Sequence, residues 1–154
     1  MGVSKMTRRI WRQIRDAANS DPDLYSPATS PDRAQSFAYA AAGCVYMLRH
    51  QKNTRIMSAA TLAVFALAAW LRIDTDQWAI LVLAVGGVWV AEFINAAIEA
   101  AVNLAVNDFH PMAKAAKDVA AAAVLMAALV AFAIGILVLG PPLLLRLQFG
   151  AVAA

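Results

Sequence analysis

The sequence predicts an all-α membrane protein: three transmembrane helices preceded by an amphipathic surface helix. Two observations carry this. The 154 residues are 62% hydrophobic and 15% charged, against about 45–50% apolar and 25% charged for a soluble domain. The apolar residues also fall into three long runs separated by short polar turns, each run near the length that spans a bilayer.

The first 31 residues read as a basic segment and linker. Met6 to Ala18 sets Ile10, Trp11 and Ile14 against Arg8, Arg12 and Arg15, a pattern that lies on an anionic leaflet. Asn19 to Pro31 is rich in Pro, Ser and Asp and reads as a linker. No apolar stretch follows the early arginines, so neither a cleavable signal nor a twin-arginine export signal built on Arg8-Arg9 is expected. Ala34 to Leu48 is the expected surface helix, with Phe37, Ala41, Cys44, Val45 and Leu48 near helical spacing. Cys44 is the sole cysteine and reads as a small packed residue. A polar, basic junction from Arg49 to Arg55 follows, and His50 within it reads as a surface residue.

The first span is expected over 56–71, short but flanked by Arg55 and Arg72, which can snorkel. Trp70 and Trp78 bracket the next turn as interfacial aromatics. The second span is expected over 78–106. The third is expected over 114–139, ending at Gly140-Pro141-Pro142, which should terminate a helix. This gives a membrane domain over 32–142 and a short tail over 143–154.

Nine of the thirteen Lys and Arg residues precede Ile56. That asymmetry points to a membrane surface rather than to nucleic acid, and it sets orientation. The N-terminal side is expected in the cytoplasm, the Asp74/Asp76 turn outside, the turn from Asn103 to His110 inside and the tail outside.

Only two glutamates occur, Glu92 and Glu99, and both lie in the second apolar run. An acid at membrane depth costs roughly 2.5–3.5 kcal/mol on insertion scales, so its retention points to a use. At about 100° per residue, Glu92, Asn95, Glu99 and Asn103 fall on one stripe roughly 80° wide. At about 1.5 Å per residue, Glu92 lies ~21 Å from the external end, still in the hydrocarbon, and Glu99 ~10 Å further, at the aqueous boundary. An enzyme joining a lipid hydroxyl to a soluble phosphate donor needs that pairing of depths. Across the turn, Lys114, Lys117, Asp118 and Ala121 share one face of the third helix. Lys117 suits a phosphate, Asp118 a metal or ligand, and Lys114 an interfacial anchor. Intramembrane Glu and Asn also serve as glue between helices. Four polar residues on one stripe opposite a Lys–Asp pair favour the functional reading.

A proton pathway would need polar residues along a whole crossing, and Ile80 to Val90 has none. Nor is there a P-loop, and Gly86-Gly87 sits mid-span, where close helix packing explains it.

The stretch Ala91-Glu92-Phe93-Ile94-Asn95-Ala96-Ala97-Ile98-Glu99, followed by His110-Pro111-Met112-Ala113-Lys114-Ala115-Ala116-Lys117-Asp118, resembles the prokaryotic diacylglycerol kinase and undecaprenol kinase family. The likeness covers about Ser36 to Leu139. It implies a small homotrimeric kinase of the bacterial inner membrane, with shared active sites near the cytoplasmic interface, that phosphorylates a lipid alcohol with ATP and Mg²⁺. On this resemblance Glu92 matches the general base, Asn95 an active-site amide and Glu99 a metal ligand. Lys117, Asp118, Tyr39, Asp108, Phe109 and His110 match nucleotide contacts. Two positions depart from the family pattern. Gln51 stands where a second metal-binding glutamate is usual, and Asn103 where an aspartate is usual. Both keep an oxygen and lose a charge, which implies a weaker metal site and leaves, as the alternative, a membrane scaffold that has lost kinase activity. The form of the His110 to Val124 stretch resembles the undecaprenol kinase branch slightly more.

Overall fold

The computed structural model describes residues 33–106 and 108–150. The basic helix expected over Met6–Ala18 and the linker over Asn19–Pro31 lie outside the described residues. Four helices follow one another: α1 (Arg33–His50), α2 (Lys52–Leu71), α3 (Thr75–Ala105) and α4 (Pro111–Gly150). There is no strand among the described residues. The chain divides into two units, residues 1–44 and 45–154.

In the first unit, the described part of α1 is exposed throughout, including Phe37, Tyr39 and Cys44. Cys44, expected to be packed, is exposed, as are residues 34–43 before it. In the second unit the end of α1 buries Met47, a residue outside the expected stripe, while Val45 and Leu48 stay exposed. His50 is exposed, as expected, with its ring 4.9 Å from that of Tyr46.

One extended residue, Gln51, separates α1 from α2. The carbonyls left open at the end of α1 are met by Arg55, whose side chain donates to Leu48 O at 3.2 Å and to Arg49 O. The polar junction is therefore already helical, and α2 begins at Lys52, four residues before the expected start. It ends where Arg72 takes a left-handed conformation (φ 55°) and its N–H donates to Ala69 O at 3.2 Å. α3 starts at Thr75, three residues early, because the Gln77 side chain returns to the Asp74 N–H at 3.1 Å. α4 starts at Pro111, which has no N–H to leave unpaired at a first-turn position. The His110 Nδ1 accepts the Met112 N–H at 3.2 Å there.

The largest difference from expectation lies at the other end of α4. The helix runs through Pro141 and Pro142 to Gly150. Each proline removes one intrahelical hydrogen bond, so the continuation needs support from outside the helix. Contacts across the fold hold it in place. Leu143 packs on the core, and Arg146 donates to Trp70 O at 2.6 Å with its guanidinium 4.5 Å from the Trp70 ring centroid. Forty residues at about 1.5 Å each give ~60 Å, twice the ~30 Å hydrocarbon thickness, so α4 extends beyond it.

α2, α3 and the first 38 residues of α4 are each long and apolar enough to cross a membrane. α3 packs mainly along α4, and α2 leans on both. The buried core gathers at the α2–α3 turn: Ala68, Leu71, Ile73, Leu81, Val138 and Leu139, with Phe65 and Trp78 edge to face at 5.6 Å. Leu62, Leu83, Phe132 and Leu137 remain exposed, as side chains facing lipid should. At mid-span, Trp89 Nε1 donates to Thr61 Oγ1 at 3.1 Å and ties α3 to α2. Thr61→Val is expected to lower the unfolding free energy by about 0.6 kcal/mol, and by no more than ~1.7, the range for such bonds in membranes. Unfolding in mixed micelles with increasing denaturing detergent measures it.

Candidate functional site

One face of α3 is apolar at one end and polar at the other. Taking about 100° per residue, Leu81, Val85, Val88, Glu92, Glu99 and Asn103 fall within roughly 60° of one another. Leu81 packs with Val138 and Leu139 of α4, and Asn103 bonds Lys117 of α4. Between them, Val85 and Val88 face both α2 and α4, lining a cavity with Thr61, Val64 and Ala131. The antiparallel register set by the contacts of Leu81 and Asn103 brings Glu92 level with Ala127 and Ala128.

Accessibility falls steadily along the stripe. Asn103 and Glu99 are exposed, Asn95 is half-buried and Glu92 is 3% exposed. Neither glutamate has a hydrogen bond or ion pair among the described residues. A buried carboxyl without a partner is costly. Glu92 lies on the face that ends in polar groups, rather than in the core by the α2–α3 turn, and has no hydrogen-bond partner among the described residues.

A cavity of about 440 Å³ opens where α3 turns into α4, lined by Val102, Asn103, Val106, Asp108, Phe109, His110, Ala113, Lys114 and Lys117. Lys117 Nζ donates to Asn103 Oδ1 at 2.6 Å across the two helices. Lys114 pairs with Asp118, one turn on, with both side chains about 60% exposed. Phe109 stands 81% exposed at the rim. A cavity with two lysines, an exposed ring and one aspartate suits a polyanion bearing a flat group. The anion meets the ammonium groups, and the ring offers a stacking face.

The structure thus brings Asn103, Asp108, Phe109, His110 and Lys117 together, with Asp118 beside them through Lys114. Glu92, Asn95 and Glu99 lie on the same face of α3, outside the cavity wall. Glu92 is about 16 Å along the helix from Asn103. Gln51 is half-buried at the α1–α2 junction and does not line the cavity, and Tyr39 is exposed within the first unit. Lys114, expected as an interfacial anchor, is exposed and also lines the cavity. Among the described residues no group of three His, Cys, Asp or Glu side chains is arranged to hold a metal. Mg²⁺ needs fewer, since it keeps waters and takes oxygens from substrate phosphates. The free carboxylate of exposed Glu99 fits that need.

Comparison with known proteins gives the family. The model of the family described as prokaryotic diacylglycerol kinase matches residues 38–139. The chain is 40% identical over 116 residues to a diacylglycerol kinase of Synechocystis sp., covering 75% of this chain and 66% of that one, just under two thirds. It is 37% identical over 109 residues to an undecaprenol kinase of Bacillus subtilis, covering 71% of this chain and 89% of that one. A diacylglycerol kinase of Escherichia coli is 38% identical over 72 residues, 47% of this chain and 59% of that one. The matched region contains the acidic stripe, the turn and the lysine–aspartate pair, and with it the chain belongs to the prokaryotic diacylglycerol kinase family, whose named relatives are lipid kinases.

Proposed function

We propose that this protein transfers the terminal phosphate of ATP to the hydroxyl of a membrane lipid alcohol. The reaction takes place at the cytoplasmic face of a bacterial inner membrane, with the protein a homotrimer whose subunits share active sites. The observation that carries this reading is the α3 stripe. A shielded, unpaired Glu92 and an exposed Glu99 lie on one face that ends at a lysine-lined cavity.

Phosphoryl transfer asks mainly for positioning and for neutralisation of charge. The cavity takes the nucleotide, with Phe109 against the base, Lys117 on the phosphate oxygens, and Asp108, His110 and Asp118 around it. Tyr39 on α1 is a further nucleotide contact. Glu92 accepts the proton of the lipid hydroxyl as its oxygen bonds to the terminal phosphorus and the bond to the ADP oxygen breaks. Asn95, one turn nearer the cavity, holds the reacting groups in line. Glu99, helped by Gln51, would hold Mg²⁺, which supplies positive charge to the phosphates.

Gln51 offers an oxygen without charge, so Gln51→Glu is expected to lower the Mg²⁺ concentration needed for half-maximal activity. An unchanged requirement would remove Gln51 from the metal site. The lipid is undecaprenol in preference to diacylglycerol, from the resemblance of residues 110–124 and the similarity to the Bacillus subtilis enzyme across 89% of its length. Side-by-side assays of the two lipids in the same micelles test this, with faster labelling of undecaprenol expected and faster labelling of diacylglycerol overturning it. The loss of charge at Gln51 and Asn103 favours one second reading, a scaffold of the same fold without activity. Such a scaffold would not bind ATP, which a binding measurement in detergent decides.

A further inference from the structure

The two lysines that line the cavity are not equivalent. Lys114 is engaged with the carboxylate of Asp118, on its own helix and in the open. Lys117 is half-buried and its ammonium is held by an amide, Asn103 Oδ1, on the facing helix at 2.6 Å. An ammonium group has three N–H donors, so one is fixed and two remain. The acceptor is neutral, so it aims the lysine without cancelling its charge. Asn103 also sits in the last turn of α3, where the unpaired carbonyls make a negative helix end that favours a cation. The flexible four-carbon stem of lysine otherwise leaves its charge poorly placed.

We propose that Asn103 is a positioning residue for nucleotide binding. It tethers Lys117 across the mouth of the cavity so that two donors and an uncancelled positive charge face the phosphates. The proposal rests on the reading of this cavity as the nucleotide site. It gives Asn103 a role that acts through Lys117 and not through a metal ion.

The test is a double-mutant cycle on the full chain in detergent micelles, read by binding of a fluorescent trinitrophenyl derivative of ATP without Mg²⁺. Asn103→Ala is expected to weaken binding about tenfold, the scale of one hydrogen bond to a charged group. Lys117→Gln is expected to weaken binding as well, and adding Asn103→Ala to it to cost nothing more. Asn103→Asp keeps an acceptor oxygen at the same place but adds a negative charge that cancels that of Lys117, so it should weaken binding as well. In turnover assays Asn103→Ala should raise the KM for ATP and leave kcat unchanged. Unchanged binding in Asn103→Ala, or losses that add in the double variant, would overturn the tether. A wild-type protein that fails to bind the nucleotide would instead take down the reading of the cavity itself.

Discussion

Glu92→Gln is expected to lower turnover by about 10²–10⁴-fold, the usual contribution of a positioned general base. The amide has nearly the shape of the carboxyl group and cannot take the proton of the lipid hydroxyl. The effect on stability separates this from a structural role. Glu92 is 3% exposed and has no bonded partner among the described residues, so its burial contributes nothing to the stability of the fold. The amide should leave the protein about as stable as before. A residue that held helices together would behave in the opposite way, losing stability first and activity as a consequence. Binding of ATP should be little changed, because the role assigned to Glu92 is toward the lipid hydroxyl and not the nucleotide. Parallel measurements of turnover, nucleotide binding and unfolding check all three parts. Turnover near the wild-type level would remove Glu92 from the role of base.

Glu99→Gln is expected to raise the Mg²⁺ concentration for half-maximal activity by about 100-fold or more. Loss of a group that only orients a ligand typically costs about 10–100-fold in metal affinity or activity, and a direct carboxylate ligand should cost at least as much. The side chain is exposed and has no partner among the described residues. The substitution should therefore leave stability within about 0.5 kcal/mol, as for most surface changes. Activity titrated against Mg²⁺ at saturating ATP makes the measurement. An unaltered requirement would show that Glu99 is not a ligand.

The sequence carried much of this because membranes restrict the choices a chain has. Runs of apolar residues in lipid form helices, as no other open backbone satisfies its own hydrogen bonds. The three spans and the surface helix were therefore legible from composition alone. Their ends were less so. Arg55 folding back on α1 and Gln77 closing on Asp74 lengthen α2 and α3 by one turn or less. Neither contact can be read from hydropathy. Pro141-Pro142 misled for a related reason: the rule that proline ends a helix takes no account of support from outside it. Leu143 and Arg146 anchor the continued helix to elements about 70 residues earlier, which no local pattern reveals.

The site divides in the same way. The stripe of Glu92, Asn95, Glu99 and Asn103 was visible because it depends on helical spacing within one element. That this face of α3 meets α4 at its two ends needed the contacts of Leu81 and Asn103 there. The bond from Lys117 to Asn103 joins two helices across a turn, and its partners are fixed by register. The sequence placed both residues near that turn without pairing them.

The most direct measurement follows radiolabelled terminal phosphate from ATP in liposomes containing the purified protein and a lipid alcohol. Label is expected in the extracted lipid phosphate, dependent on Mg²⁺ and nearly absent with Glu92→Gln. ATP bound or hydrolysed with no label in the lipid, or label that persists undiminished in the Glu92→Gln protein, would contradict the assignment of these two acids to lipid phosphorylation.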